Sequence, residues 1–401
     1  MKRVARFFVF ALVLTMPLWV MADPSGTPVT VPIDADTVDG YEAADFITMI
    51  SDLQEIIAGL QEQVTALEDQ VAALAPLQAV ANFVYVDYET REGLIGPHVI
   101  FYDANVHVQN GTDDPESVNG LGNLVVGYNP SPDYFYYGRG GSHNLVVGGE
   151  HEYPSYGGFV AGFENSIHGA HSSIGGGYSS LAYNDYSSVS GGLHNTAGGD
   201  YASVCGGKGN VAADEAATVS GGRHNWANAP YTSVSGGAGN WAEGEIASIS
   251  GGAGCTASGV GSSINGGTEN QATGQYSNIS GGEWNTASGK HSCVSGGYRN
   301  ETSGEYASIS GGGSRNTASG PVSSISGGTH NTASGVISSI SGRSGNTASG
   351  YLTCVSGGTG NTASGSISCV SGGRDNAANH NSSTVSGGYG LVTSSDYDHV
   401  P

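Results

Sequence analysis

A phrase of fifteen residues, written almost without change down more than half of the chain, limits the fold more than any other feature. Aligned on the β-branched residue before a glycine pair, it recurs at Val189, Val204, Val219, Val234, Ile249, Ile264, Ile279, Val294 and Ile309. One extra residue near Gly313 shifts the frame, after which Ile325, Ile340, Val355, Val370 and Val385 resume the step; Ile174 and Phe159 fit upstream. Fifteen residues are too few for a helix pair and suit one turn of a β-solenoid with short strands and tight corners. A looser form of the phrase stands in the two copies of Asn-Leu-Val-Val-Gly at Asn123 and Asn144.

Within a turn, period-two alternation sends the lone Val or Ile inward between outward serines, and likewise Ala333 between Thr332 and Ser334. Paired glycines such as Gly327 and Gly328 supply corner conformations that a Cβ resists. The recurring asparagine, as at Asn195, Asn210, Asn225 and Asn331, is expected to stack as an amide ladder that satisfies corner backbone groups. One Val at about 1.5–3 kcal/mol is thin support for fifteen residues that each cost about 1–2 kcal/mol to order. Association of several rolls along their valine edges is the expected remedy.

A second segment points to association independently. From Phe46 the chain reads FITMISDLQEIIAGLQEQVTALEDQVAAL, with Ile50, Ile57, Val64 and Val71 at a and Phe46, Leu53, Leu60, Leu67 and Leu74 at d of a heptad. This predicts a parallel coiled-coil helix over 46–75, ended by Pro76. The alternative is an amphipathic helix packed on its own domain.

The first residues, MKRVARFFVFALVLTMPLWVMA, read as a secretory signal: a basic front, an apolar run from Phe7 to Leu18 and a small-residue cleavage pattern ending at Ala22. No segment has the length of a membrane span, so the expectation is a secreted or cell-surface protein. The formal net charge of −23, with only 12 Lys and Arg, excludes nucleic acid as an expected partner, because neutralising phosphate needs clustered cations. No catalytic, cofactor or metal constellation stands out, and the expectation is a non-enzyme with no cofactor. Asp34, Asp36 and Asp39 lack the spacing and closing Glu of a calcium loop.

Cys293, Cys354 and Cys369 each replace the Ser before the β-branched residue. Cys354 and Cys369 are one turn apart, so either a bond between turns or Ser-sized substitution fits. Trp226 and Trp241, in equivalent places of adjacent turns, are candidates for a stacking platform. Corner residues that vary between turns, among them Leu193, His194, Arg223, His224, Glu283, Trp284, Tyr298 and Arg299, are the candidate contacts to a partner. Rows of hydroxyls at Thr317 and Ser319, Thr332 and Ser334, Thr347 and Ser349, and Thr362 and Ser364 would suit an ice-binding face.

The turn Ser-Val-Ser-Gly-Gly-x-x-Asn-Thr-Ala-Ser-Gly-x-x-Ala resembles, position for position, the repeat of trimeric autotransporter adhesin heads of the YadA type, from Phe159 to about Gly388. The resemblance implies an all-β, left-handed parallel β-roll, a homotrimer, and attachment to host cells, surface glycans or matrix proteins. The chain differs in carrying glycine (Gly191, Gly236, Gly327) at the second apolar position of that repeat, and in placing its helix before the roll. It closes on GLVTSSDYDHVP, so the expectation is a head without the C-terminal membrane anchor. The segment Asp34 to Phe46 also resembles an element that precedes fibre segments in phage and bacterial surface proteins.

The expected organisation is a signal peptide (1–22), a linker (23–45), a coiled-coil helix (46–75), a β-rich cap (76–158), a β-roll head (159–389) and a tail (390–401). The expected function is multivalent attachment by an exported trimeric fibre. A non-binding structural fibre and an ice-binding solenoid are the alternatives.

Overall fold

A computed structural model describes residues 37–38, 41–90, 93–130 and 138–401. The predicted signal and most of the predicted linker, including its three aspartates Asp34, Asp36 and Asp39, lie outside the described residues. The chain forms two compact units, divided after Val106.

The first unit is built on a helix, Ala43–Ala73. Its heptad apolar residues are left open by the described residues: Ile50, Leu53, Ile57, Leu60, Val64, Leu67, Val71 and Leu74 are all at least half exposed. The helix stops short of Pro76, as expected, and Pro76 sits in the first turn of a second, short helix, Ala75–Val80, where its missing N–H has no intrahelical partner to lose. An antiparallel pair follows, Val84–Asp87 against His98–Phe101, in register Val84 to Phe101.

The second unit is a parallel β-solenoid. Nineteen strands form its first sheet, stepping in register from Leu124 through Leu145, Phe159, Ser173 and each following turn to His399. The two Asn-Leu-Val-Val-Gly copies are thus the first rungs, paired Leu124 to Leu145, and the residues after Gly390 form the last. Fifteen strands make a second parallel sheet, from Ser166–Ile167 to Ala377–Ala378. A third line of single bridges runs through Leu193, Lys208, Arg223 and onward, so every turn is tied to the next at three places.

Most turns bury four side chains. In one they are Val189, Asn195, Ala197 and Ala202; in the next, Val204, Asn210, Ala212 and Ala217. The Val and Ile column is 0–1% exposed from Ile174 to Val385, spent wholly on the interior of its own roll. The expected association along valine edges is therefore corrected. A strand of two residues with one side chain inward leaves no second apolar face, and the glycine after the outward Ser supplies none.

The asparagine ladder is present. Asn210 Nδ2 donates to Gly206 O at 2.8 Å and to Gly222 O at 3.0 Å in the next turn, while its Oδ1 accepts the backbone N–H of Asn225 at 3.0 Å. Each amide thereby satisfies two corner groups that burial would otherwise strand, and adds a second donor to a carbonyl such as Gly222 O that already accepts the backbone N–H of Lys208. Ser180 and Cys255 interrupt the column. At its head His151 takes the asparagine's place: Nδ1 accepts the N–H of Asn165 at 3.2 Å, and Nε2 lies 3.1 Å from Val147 O, four residues back, as its donor. The extra residue near Gly313 is absorbed in the corner, and Asn316 N–H still reaches Asn300 Oδ1 at 3.0 Å.

The second glycine of the pair is the constrained one, although Arg343 takes its place in one turn at φ 63°. Gly192 has φ +96°, and a Cβ there would stand 2.3 Å from Gly207 O. Except at Gly357, with φ +158°, the first glycine of a pair has ordinary φ, and at Gly206, Gly221 and Gly236 a Cβ would meet nothing within 4 Å.

Candidate binding surface

Rows of outward side chains run along the roll, each fixed by one backbone position of the repeat. On the second sheet Trp226 and Trp241 are cross-strand partners, their rings stacked at 4.9 Å with planes 2° apart. Each indole commits one face to the other. The remaining faces lie towards Val211 and Thr256, and Trp241, beside the small Thr256, is 37% exposed.

His194, His224, Trp284 and Arg299 share a second row, the residue before the ladder asparagine, all in left-handed backbone with φ between 53° and 58°. Leu193, Arg223, Glu283 and Tyr298 stand beside them on the bridge line. Arg299 lies 5.0 Å over the Tyr298 ring, and Trp284 Nε1 donates to Glu283 Oε1 at 3.1 Å. The structure thus gathers His194, His224, Trp284, Tyr298 and Arg299 at one corner, with Trp226 and Trp241 on the adjoining sheet. They are spread along it: His194 and Arg299 are seven turns apart, roughly 33 Å at strand spacing.

Reading the sequence by its turns misses a third row. Three residues before each β-branched core residue, a second left-handed corner holds His171, Tyr186, Tyr201, Tyr231, Ile246, Tyr276, His291, Tyr306, Val322, Ile337, Leu352 and Ile367. Its tyrosines and aliphatics are 40–61% exposed. Rings stack in succession, Tyr186 on Tyr201 at 5.1 Å and His291 on Tyr306 at 4.9 Å. The signal was available as an apolar residue at fixed phase, but variation among Tyr, His, Ile, Val and Leu disguises it as a loop.

At the head of this row an open cavity of about 500 Å³ is lined by Asn110, Asp113, Asp114, His143, Tyr156 and His171, among others. His143 is held at both nitrogens, with Nε2 accepting Asn110 N–H and Nδ1 3.3 Å from Pro115 O. The Tyr156 hydroxyl is raised above the usual phenol range by partial desolvation and by the negative charges of Glu116, Asp185 and Asp114. Aromatic walls beside carboxylates suit polar contacts from hydroxyls or cations, without a nucleophile and base in reach of one another.

Five cysteines resolve into one bond and three thiols. Cys354 and Cys369 form a disulfide between adjacent turns, with Cα atoms 4.7 Å apart. Cys205 is exposed, and burial pushes the Cys255 thiol above its ordinary range. Among the described residues no group of three or more His, Cys, Asp or Glu is placed to hold a metal ion, and no helix is long and apolar enough to cross a membrane. No protein-family model matches the chain, and no curated protein matches it.

Proposed function

We propose that this chain is an exported homotrimeric fibre of the adhesin-head kind, a left-handed β-roll carried with a parallel coiled coil, and that it attaches multivalently to cells, surface glycans or matrix proteins. The observation that carries the reading is the bare heptad seam. Eight apolar side chains from Ile50 to Leu74, each at least half exposed, follow the a and d positions of the helix. An isolated helix of this kind is poorly stable in water, and copies of itself cover such a seam without loss. The distribution of His194, His224, Trp226, Trp241, Trp284, Tyr298 and Arg299 along one edge supports many shallow contacts rather than one deep site. Three copies on one coiled coil raise the effective concentration of each contact.

The test compares binding of labelled full-length protein with that of the Leu60→Asp, Leu67→Asp variant on glycan arrays, matrix proteins and whole cells. Avidity predicts a loss of about 10²–10⁴-fold in the variant. Equal binding by both proteins, or none by either, overturns the reading.

One observation favours a second reading. Thr317, Thr332, Thr347 and Thr362 lie in strict register on the second sheet, outward and half-buried, a flat hydroxyl row at strand spacing. Such a row suits an ice surface, and thermal hysteresis of the purified protein decides it.

A further inference from the structure

We propose that copies of this chain associate by seating the exposed ridge of one roll, from Tyr186 to Ile367, in the glycine groove of the next, at the two edges of the Ser-Val-Ser sheet. The inference rests on the homo-oligomer reading above and names the surfaces that meet.

The ridge needs an explanation because its backbone opposes it. A non-glycine residue in left-handed backbone costs roughly 1–2 kcal/mol, and more when β-branched. The roll carries its own control, a second corner with the same φ. That corner takes glycine at Gly209, Gly239, Gly254, Gly345, Gly360 and Gly390 and never a β-branched residue. The ridge takes glycine once, at Gly261, and accepts Ile246, Val322, Ile337 and Ile367 at φ between 54° and 58°. Apolar side chains are kept there at a backbone penalty, while the described residues leave about half of each exposed.

The groove poses the converse question. Two residues after the core Val or Ile of the central turns, the first glycine of the pair has a backbone any residue adopts and open space where a Cβ would stand, at Gly206, Gly221, Gly236, Gly251 and Gly266. Glycine there forfeits about 0.5–1 kcal/mol against alanine for no gain within the roll. A side-chain-free track is useful where another surface must come close.

Period and area identify the occupant as a second copy. Ridge and groove both repeat once per turn, and adjacent turns are 4.7 Å apart at Cys354 and Cys369. Only a partner with the same rise engages every step over a dozen turns, and the same chain is such a partner. An aromatic side chain offers about 150–250 Å², so ten half-exposed ridge residues present on the order of 1,000 Å², against about 800 Å² per partner in a standard interface. Because ridge and groove flank the same sheet at opposite edges, the contact is heterologous, and it closes into a ring when each copy gives its ridge to the next. Serine hydroxyls of the first sheet, Ser203 and Ser248 among them, then line the space between copies.

The test uses the full chain with a benzoyl-phenylalanine photo-crosslinker in place of Ile246. Irradiation is expected to join copies, with the partner peptide mapped by mass spectrometry to the stripe containing Gly236, Gly251 and Gly266. Filling that stripe with Gly236→Leu, Gly251→Leu and Gly266→Leu places each new Cβ in open space, so the circular-dichroism spectrum is expected to be retained while intermolecular yield falls at least tenfold. A second variant, Val322→Gly, Ile337→Gly and Ile367→Gly, relieves backbone strain and keeps the roll folded. It is expected to lose the ridge contact over those turns, seen as loss of crosslinks from a probe at Leu352. An oligomer by sedimentation whose crosslinks avoid the stripe, or survive its filling, overturns this inference and leaves the oligomer standing. A monomer overturns both.

Discussion

The side-chain oxygen of Asn285 accepts the backbone N–H of Asn300, one turn on, at 2.9 Å, while its Nδ2 donates to Gly281 O and Gly297 O at 3.0 Å each. Two corner groups, Asn300 N–H and Gly281 O, therefore depend on one amide, while Gly297 O also accepts the backbone N–H of Glu283. Asn285→Ala strands those two and is expected to destabilise the roll by about 2 kcal/mol or more, since each unsatisfied buried group costs about 1–3 kcal/mol. Asn285→Ser should cost less, because Ser180 Oγ already accepts the N–H of Asn195 at 3.2 Å in another turn. Chemical denaturation of the two variants checks the order.

Where His151 replaces the ladder asparagine, stability becomes dependent on pH. Its Nδ1 must accept from Asn165, so the neutral ring is required, and burial lowers its pKa, with backbone contacts to Val147, Asn165 and Gly162 opposing and Arg139 adding to the effect. His168, against Glu152 at 3.4 Å, is lowered as well, by burial. In the unfolded chain both titrate near ~6.5. Between that value and the lower folded one the unfolded state binds more protons, so stability is full above about pH 6.5 and falls as the pH drops through this window. His151→Asn keeps the ladder and should flatten the histidine part of this slope, leaving the share of His168. Hydrogen exchange at Asn165 N–H between pH 5 and 8 is the measurement.

Five buried serines, Ser262, Ser277, Ser323, Ser338 and Ser368, have hydroxyls with no partner. Other turns place alanine at the same position, as in Ala202, Ala217, Ala247 and Ala307. Ser323→Ala with Ser338→Ala is therefore expected to stabilise the roll by about 1 kcal/mol for each replacement, read as a rise in the thermal midpoint.

The bond between Cys354 and Cys369 closes a loop of fifteen residues. Replacing both by serine, the usual residue of the column, should cost about 3 kcal/mol through the unfolded state. Thiol labelling gives a parallel check: Cys205 reacts fast in the native protein, and Cys255, fully buried, reacts only on unfolding.

The fold was legible because a solenoid is local. Each turn repeats the same neighbours, so the phrase at Val189, Asn195 and Ala197 specifies an inward set, a ladder and the parallel sheets without any long-range choice. Legibility stopped where two positions look alike in sequence and differ only in space. Gly191 and Gly192 read as a pair, yet only Gly192 has the left-handed backbone that glycine serves. Likewise, Ile246 and Glu269 share a left-handed backbone, with φ of 54° and 52°, although they stand on different corners of the turn.

The sequence by itself determined the fifteen-residue turn, its buried column and its asparagine ladder, because strand alternation and corner chemistry act within a few residues. Only the tertiary structure decided that the valines are spent inside their own roll, that Cys354 meets Cys369, and that Tyr186 to Ile367 line up as one exposed edge. Those outcomes depend on how far the chain turns at each corner before it returns, a rotation that residue types restrict and the closed ladder of hydrogen bonds fixes.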